Sequence, residues 1–254
     1  MKSSIKFIWV VLINILLIVY LLEFLSIIFL PSKTDMYLDL DLLRYKIAKE
    51  RGVPFDQRTY YQAFFEEKDE EPMLSPRYQF TSAYWSPILY GPNNPFQKYI
   101  KSKIENKKLI PLRGPVNKKT LSCRENGTRK IANNDKHGFK NLNSIYDKKI
   151  KVFLIGDSFT HGECEDENTD IAGLLRNNSK INTANYGISG AGPLLSLAAL
   201  AEYGSYYKPD FTIYLYSEAN DMQDLTNEKN TFLVNYLKNY KQNLISRNNE
   251  ILEF

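Results

Sequence analysis

The pattern of apolar and polar residues changes twice along the chain. Residues 7–30 are almost continuously apolar. The next stretch shows no clear period, and short apolar runs separated by polar turns begin near residue 150. We therefore expect three parts: an N-terminal helix in residues 1–31, an irregular lead-in region in residues 32–149, and an α/β domain in residues 150–254.

The first apolar segment is long enough to be a membrane helix. About 20 apolar residues cross the hydrocarbon core of a bilayer, so residues 7–30 predict a single membrane-spanning helix that ends at Pro31. No small-residue cleavage site follows, which favours an uncleaved signal anchor. Lys2 and Lys6 precede the segment and indicate a cytoplasmic N-terminus, with the remainder on the extracytoplasmic side of the plasma membrane.

The lead-in region gives weaker patterns. Met36 to Arg51 predicts a short helix, because leucine and isoleucine recur on one side. From Pro72 to Pro115, seven prolines recur among aromatic residues, which is typical of loop-rich structure. The aromatic residues fit ordinary core packing, and a sugar-binding groove is the alternative.

Strand and helix patterns alternate in the last part. A short apolar run predicts a buried strand at Lys151–Ile155, and further strands are predicted at Ile181–Tyr186 and Phe211–Tyr216. Helices are predicted at Thr169–Arg176, with Thr169 as N-cap, at Pro193–Tyr207, and from Asn230 to the end. This alternation predicts an α/β fold with a parallel sheet and right-handed crossovers.

Composition excludes several classes of function. The 254 residues carry 33 Lys+Arg and 29 Asp+Glu, a net charge of +4 that gives no indication of nucleic-acid binding. Two histidines and two cysteines argue against a histidine-rich or four-cysteine metal centre. We expect no metal and no cofactor. In an exported protein, Cys123 and Cys164 form one disulfide or remain two buried thiols, and the sequence leaves both possibilities open.

Small polar residues follow each predicted strand of the C-terminal part. In a parallel sheet, ligands bind beyond the carboxyl ends of the strands. A serine on a tight turn can act as a nucleophile, while glycine N–H groups and asparagine amides can stabilise an oxyanion. These residues are Gly156, Asp157 and Ser158 after the first strand, Gly190 after the second, and Asn220 and Asp221 after the third.

The three clusters resemble blocks of the SGNH (GDSL-type) hydrolases. Gly-Asp-Ser-Phe at 156–159, Gly190 in Asn-x-x-x-x-Gly, and Asn220-Asp221 are similar to that family's first three blocks. The resemblance implies a flavodoxin-like α/β/α fold, here C-terminally incomplete. It also implies Ser158 as nucleophile and an oxyanion hole formed by the Ser158 N–H, Gly190 and Asn220. Asp157, Gly156 and Asp221 would support the site.

The sequence departs from the family at two places. Glu218 stands where the third block has its glycine, and a larger acidic side chain there is expected to crowd the site. No histidine follows Asn220, so the family's Asp-x-x-His block is absent. The base is therefore expected in a missing C-terminal part; His161, His137 and the lack of any base are the alternatives.

The resemblance implies a membrane-anchored, exported serine esterase. Its substrate would be an acylated small molecule or cell-surface glycan, since Asp135–Phe139 also resembles the lead-in of membrane-anchored bacterial SGNH proteins linked to surface polysaccharide. The expected partners are this substrate and a lipid bilayer through residues 7–30, without nucleic acid. The alternatives are a non-catalytic glycan-binding or assembly protein on a degenerate hydrolase scaffold, and an O-acyltransferase. The sequence does not give the oligomeric state.

Overall fold

The structure is a computed structural model that forms two compact units, Met1–Phe55 and Asp56–Phe254. The second unit contains most of the lead-in region together with the α/β part. Much of the proline-rich stretch from Pro72 to Pro115 lies outside the described residues. The structure describes residues 2–29, 33–75, 109, 111–112, 114–247 and 250.

The first unit is helical. Helix α1 covers Lys2–Phe29 and helix α2 covers Lys33–Glu50, which confirms the helix predicted from Met36. Large apolar side chains between Trp9 and Leu25 are exposed along α1. A search of the described residues finds no helix with both the length and the apolar character that a membrane crossing requires. The predicted membrane-spanning helix in residues 7–30 is therefore not supported.

The lead-in region contains more regular structure than its sequence predicts. Helix α3, Tyr60–Glu70, begins with a capping box in which Thr59 and Gln62 each bond the other's backbone N–H. Its Ala63 and Phe64 pack on Leu74 of a small sheet. The description of residues 32–149 as irregular is wrong for this part.

The small sheet has three strands. Strand β1 is Leu74–Ser75, β2 is Lys119–Leu121 and β3 is Ile131–Asn133. The central β2 pairs parallel with β1 and antiparallel with β3. The alternation of apolar and polar residues in these strands extends over only two or three residues, which is too short to be recognised from the sequence.

A parallel sheet forms the centre of the α/β part, as predicted. Strand β4 is Val152–Gly156, β5 is Thr183–Asn185 and β6 is Phe211–Leu215. The spatial order is β5-β4-β6, and both pairs are parallel. Gly156, the last residue of β4, lies opposite Leu215, the last residue of β6. The carboxyl ends of these two strands are therefore level.

Short helices connect the strands. The predicted helix from Pro193 to Tyr207 is present, with one π-helical turn at Leu200–Gly204 in its middle. Two 3₁₀ segments lie at Asn143–Asp147 and Phe232–Lys238. The α-helices of this part are α4 Ser158–His161, α5 Ile171–Asn178, α6 Pro193–Ala199, α7 Ser205–Tyr207 and α8 Asp221–Glu228.

Helices cover opposite faces of β4. Phe153 and Ile155 point into the main core with the residues of α6. Val152 and Leu154 pack instead against Ala172 of α5. Because successive side chains of a strand point to opposite faces, α5 and α6 lie on opposite sides of the sheet and give three layers.

Two predicted helices differ from those observed. Helix α5 begins at Ile171, because Asp170 rather than Thr169 caps it by accepting a 2.7 Å hydrogen bond from the N–H of Gly173. The hydroxyl of Thr169 donates to the carbonyl of Asp166. The helix predicted from Asn230 to the end is wrong for the described residues up to 247, since Phe232–Lys238 forms the 3₁₀ segment and residues 239–247 form turns and loop. Residues 248–249 and 251–254 of that prediction lie outside the described residues.

The two edges of the parallel sheet differ. The amide of Asn141 donates to the carbonyl of Asn185 and accepts from its N–H, both at 2.8 Å, so a side chain covers the backbone of β5. Side chains of β6 are instead exposed, with Phe211 at 69% and Ile213 at 41%. Edge strands normally carry protection against pairing with other chains.

A disulfide joins the lead-in region to the loop after α4. Cys123 and Cys164 are bonded with their Cα atoms 5.2 Å apart, so of the two possibilities left open the structure has the disulfide. Beside it, Ser122 Oγ donates to the carbonyl of Glu163 at 2.6 Å. The buried Lys140 Nζ also donates to the carbonyl of Gly162 at 2.6 Å. These contacts fix the loop that follows Ser158.

We predict that loss of the disulfide destabilises the protein. The bond closes a loop across a sequence separation of 41, and the chain-entropy relation for such a loop gives about 3–4 kcal/mol. Urea unfolding of the Cys123→Ala/Cys164→Ala variant should show this loss in the free energy of unfolding. Reductant should shift the wild-type midpoint and leave that of the double variant unchanged; equal midpoints of wild type and variant would contradict the prediction.

Candidate functional site

The candidate site lies at the carboxyl ends of β4 and β6. The chain passes from β4 to β5 on one side and then to β6 on the other. In such sheets a crevice opens where the strand order reverses, and ligands bind there. The loops that begin at Gly156 and Leu215 border this position.

Gly156 determines how the chain leaves β4. Its φ of +148° is unfavourable for residues with a side chain. A Cβ atom at this position would collide with Thr160 Oγ1 and lie 2.7 Å from the carbonyl oxygen of Leu215. The close turn from β4 into α4, beside β6, therefore requires glycine.

Asp157 caps the helix that carries the serine. Its Oδ1 accepts a 2.9 Å hydrogen bond from the N–H of Phe159. The side chain is fully buried, and Oδ2 has no hydrogen-bond partner among the described residues. A carboxylate at this end of a helix is favourable for the first N–H groups. Asp157 thus braces the turn that presents Ser158.

Ser158 is the first residue of α4. The residue is half-buried, and its hydroxyl makes no hydrogen bond with any described part of the chain. Its carbonyl accepts from the N–H of Gly162 at 3.0 Å. The hydroxyl is therefore available to a ligand at a position that the backbone fixes.

The loop that carries Gly190 lies against the same turn. Ile188 N–H donates to the carbonyl of Gly156 at 3.0 Å, which continues the pairing of β5 with β4. A Cβ atom on Gly187 would collide with the backbone nitrogen of His161, so this loop packs directly on α4. Gly190 follows in a turn with φ of +71°.

Asn220 precedes α8, and both ends of its amide are bonded. Ser217 Oγ donates to Asn220 Oδ1 at 2.6 Å, and Asn220 Nδ2 donates to Asp224 Oδ2 at 3.2 Å. The fully buried Asp221 accepts from the hydroxyl of Tyr214 at 2.7 Å and from the N–H of Ser217 at 3.0 Å. Asp221 thus holds the loop between β6 and α8.

Glu228 connects the second and third loops. The carboxylate is fully buried and accepts from the N–H groups of Gly192 and Leu194, both at 2.8 Å. A Cβ atom on Gly192 would lie 2.9 Å from the Cβ of Asp224. The start of α6, which follows Gly190, is therefore fixed against the helix that follows Asn220.

Carboxylates dominate the electrostatics beside Asn220. Burial raises the pKa of Asp224 to about 6, and the hydrogen bond from Asn220 opposes this rise. The negative charges of Glu228, Asp221 and Asp157 contribute to this raised pKa. The carboxyl of Asp224 is therefore ionised less readily than that of an ordinary aspartate.

Neither histidine is placed as the hydrogen-bonded partner of Ser158. The imidazole of His161 is buried, with Nδ1 3.4 Å from Ser189 Oγ. The ring of His137 lies among Tyr146, Tyr203 and Tyr207, and its Nε2 is hydrogen bonded to the hydroxyl of Tyr207. Both imidazoles lie in packed surroundings.

Glu218, expected to crowd the site, has an exposed side chain. The described residues contain no cluster of histidine, cysteine or acidic side chains suited to a metal ion. The sequence did not identify Ser217, Asp224 and Glu228 as site residues. Ser217 and Asp224 could have been recognised as partners of Asn220 from their spacing only if helix α8 had been predicted.

Comparison of the chain with protein-family models, with curated proteins and with solved structures found no match. An available hydroxyl, a glycine turn packed on the same helix and a fixed amide on the neighbouring loop are suited to binding an acyl group. The motif resemblance suggested the same residues.

We predict that the ionised Asp224 destabilises the folded protein. Its pKa is about 6 in the fold against 3.8 ordinarily, so between these values the folded state binds the proton and stability falls as pH rises. Asp224→Asn removes this titrating carboxyl, so its free energy of unfolding should rise relative to that of wild type by about 1–2 kcal/mol from pH 4 to pH 7. This figure is smaller than the full pKa shift would give, because the carboxyl is half exposed and water screens its charge.

Urea unfolding at several pH values measures this difference. Asp147→Asn is the matched control, because Asp147 is exposed, and its difference from wild type should stay near zero. An Asp224→Asn difference that is constant over this range, or that shrinks as pH rises, would contradict the prediction.

Proposed function

We propose that this protein is an SGNH-type serine ester hydrolase that acts on an acylated glycan or a small acylated molecule. The observation that carries the proposal is the position of Ser158. Its hydroxyl is free of hydrogen bonds to described residues, directly after the central strand. The loop of Gly190 packs on the same helix, and Asn220 follows the neighbouring strand.

The proposed chemistry is acyl transfer to serine followed by hydrolysis. The Ser158 hydroxyl oxygen attacks the carbonyl carbon of the ester, and its proton passes to a base. The N–H groups of Ser158 and Gly190 and the Asn220 amide are the proposed donors to the oxyanion. Collapse of the tetrahedral intermediate breaks the ester C–O bond, and the leaving alcohol takes the proton back from the base. Water then attacks the acyl carbon, which releases the acid and restores the serine hydroxyl.

The strand order supports the proposed fold family. An order in which the second and third strands flank the first is typical of flavodoxin-like sheets, and β5-β4-β6 has this order. Helices on both faces of β4 agree with an α/β/α arrangement. The remaining strands of that fold are not among the described residues.

We further propose an extracytoplasmic location with attachment to a lipid bilayer. The disulfide between Cys123 and Cys164 supports an oxidising compartment, because such bonds are rare in the cytosol. The exposed apolar side chains of α1, such as Leu17 at 61% and Leu22 at 60%, support contact with lipid.

A non-catalytic glycan-binding protein on the same scaffold is the second candidate. This candidate is favoured because, among the described residues, no histidine imidazole is hydrogen bonded to the Ser158 hydroxyl. No Asp-x-x-His block occurs in the 254 residues. A serine without a base retains only oxyanion stabilisation and substrate positioning. An O-acyltransferase would use the same site, with an acceptor hydroxyl in place of water.

We predict that ester hydrolysis depends on Ser158. The full chain in detergent should release p-nitrophenol from p-nitrophenyl acetate, and Ser158→Ala should lower kcat/KM at least about a hundredfold because the nucleophile is lost. Ser144→Ala is the matched control, since Ser144 is exposed in the 3₁₀ segment Asn143–Asp147. Its activity should equal that of wild type.

The same preparations separate the candidate functions. Equal activity in wild type and Ser158→Ala would overturn the hydrolase proposal. Binding of an acetylated oligosaccharide by both proteins, without turnover, would then favour the glycan-binding protein. Transfer of acetyl to an added acceptor oligosaccharide, at the expense of free acetate, would indicate the transferase.

A further inference from the structure

We propose that Asp224 is a positioning residue for the oxyanion site. Together with Ser217 it fixes the amide of Asn220, so that one N–H of the amide is held by the protein and the other is left for the acyl oxygen. This inference rests on the proposed function, and it assigns a role to two residues outside the motif that suggested the site.

The two hydrogen bonds of Asn220 define the orientation of its amide. An asparagine amide has one acceptor oxygen and two N–H donors. Ser217 Oγ lies 2.6 Å from Oδ1, and Asp224 Oδ2 lies 3.2 Å from Nδ2. Rotation of the amide by 180° would bring its oxygen against the carboxylate of Asp224, so the negative charge selects the observed orientation. The second N–H then remains for a ligand.

Asp224 is itself held in place. Its N–H donates to the carbonyl of Asn220 at 2.9 Å, which makes the two residues part of the same helical turn. The Cβ of Asp224 faces Gly192, where a side chain would leave no room. The buried carboxylates of Asp221 and Glu228 fix both ends of α8. The carboxylate that orients the amide therefore stands on a fixed helix.

The groups around Asp224 make its positioning of the Asn220 amide dependent on pH. The groups that act on it are Asp157 at the start of α4 and Asp221 and Glu228 on its own helix, and burial with these charges raises its pKa to about 6. Helix α6, which packs on α8, has no charged residue, and the 3₁₀ segment Phe232–Lys238 has only Lys238.

The direction of the pH effect follows from the charge. Above pH 6 Asp224 is ionised and accepts strongly from the Asn220 amide. As pH falls through this value the carboxyl is protonated, becomes a weaker acceptor and no longer opposes rotation of the amide. Turnover should therefore fall on the acid side of pH 6.

Kinetics of Asp224→Ala and Asp224→Asn test the proposal. With p-nitrophenyl acetate at pH 7.5, Asp224→Ala should lower kcat about 10- to 100-fold with little change in KM, because it loosens a donor that acts mainly in the transition state. Asp224→Asn keeps an acceptor oxygen that does not titrate. It should retain most of kcat and lose the decrease of activity near pH 6.

A second measurement does not depend on activity. In ¹⁵N-labelled protein, the side-chain amide signals of Asn220, identified by their absence in Asn220→Ala, should shift with a midpoint near pH 6. The shift should be absent in Asp224→Asn and present in the control Asp147→Asn, where the exposed Asp147 is changed.

The two measurements distinguish the possible failures. If wild type has no Ser158-dependent activity, the proposed function fails, and the Asn220 titration alone decides whether Asp224 holds the amide. Asn220 signals that do not titrate, or that titrate equally in Asp224→Asn, would overturn the inference. A kcat of Asp224→Ala equal to that of wild type would overturn it as well.

Discussion

The buried carboxylate of Glu228 holds the candidate site together. It accepts hydrogen bonds from the N–H groups of Gly192 and Leu194, which lie at the start of α6. Burial of an ionised carboxylate is unfavourable unless it is hydrogen bonded, and the N-terminus of a helix supplies N–H donors and a favourable dipole. Through this one group, the loop of Gly190 and the helix after Asn220 keep a fixed distance although they are far apart in the sequence.

The sequence predicts the central sheet well, since β4 is a buried apolar run and the other two strands recur at the spacing of alternating strands and helices. It predicts helix α8 poorly, because Asp221 to Glu228 is almost entirely polar and its buried groups are carboxylates. The same limit applies to the site. Ser158, Gly190 and Asn220 belong to a recognisable pattern, whereas the roles of Ser217 and Asp224 depend on a helical turn that no apolar period indicates.

The packing around the two histidines does not match the role of catalytic base that the sequence left open for them. His161 is close to Ser158 in sequence, but its imidazole is buried next to Ser189. His137 is surrounded by tyrosines. The acidic residues Asp157, Asp221 and Glu228 act instead on Asp224, which bonds the amide of Asn220. A ligand at the carboxyl ends of β4 and β6 would meet the neutral hydroxyl of Ser158 and the amide of Asn220 beside these carboxylates.

The two edges of the parallel sheet differ in whether a further strand can pair with them. Asn141 occupies the backbone groups of Asn185 on one side, so no strand can be added next to β5 without displacing that amide. On the other side, no further strand pairs with β6 among the described residues, and the side chains of Phe211 and Ile213 are exposed. Any polypeptide that lengthened the sheet would therefore join at β6. If it ran parallel to β6, its last residues would emerge beside Asn220 and form a further wall of the crevice.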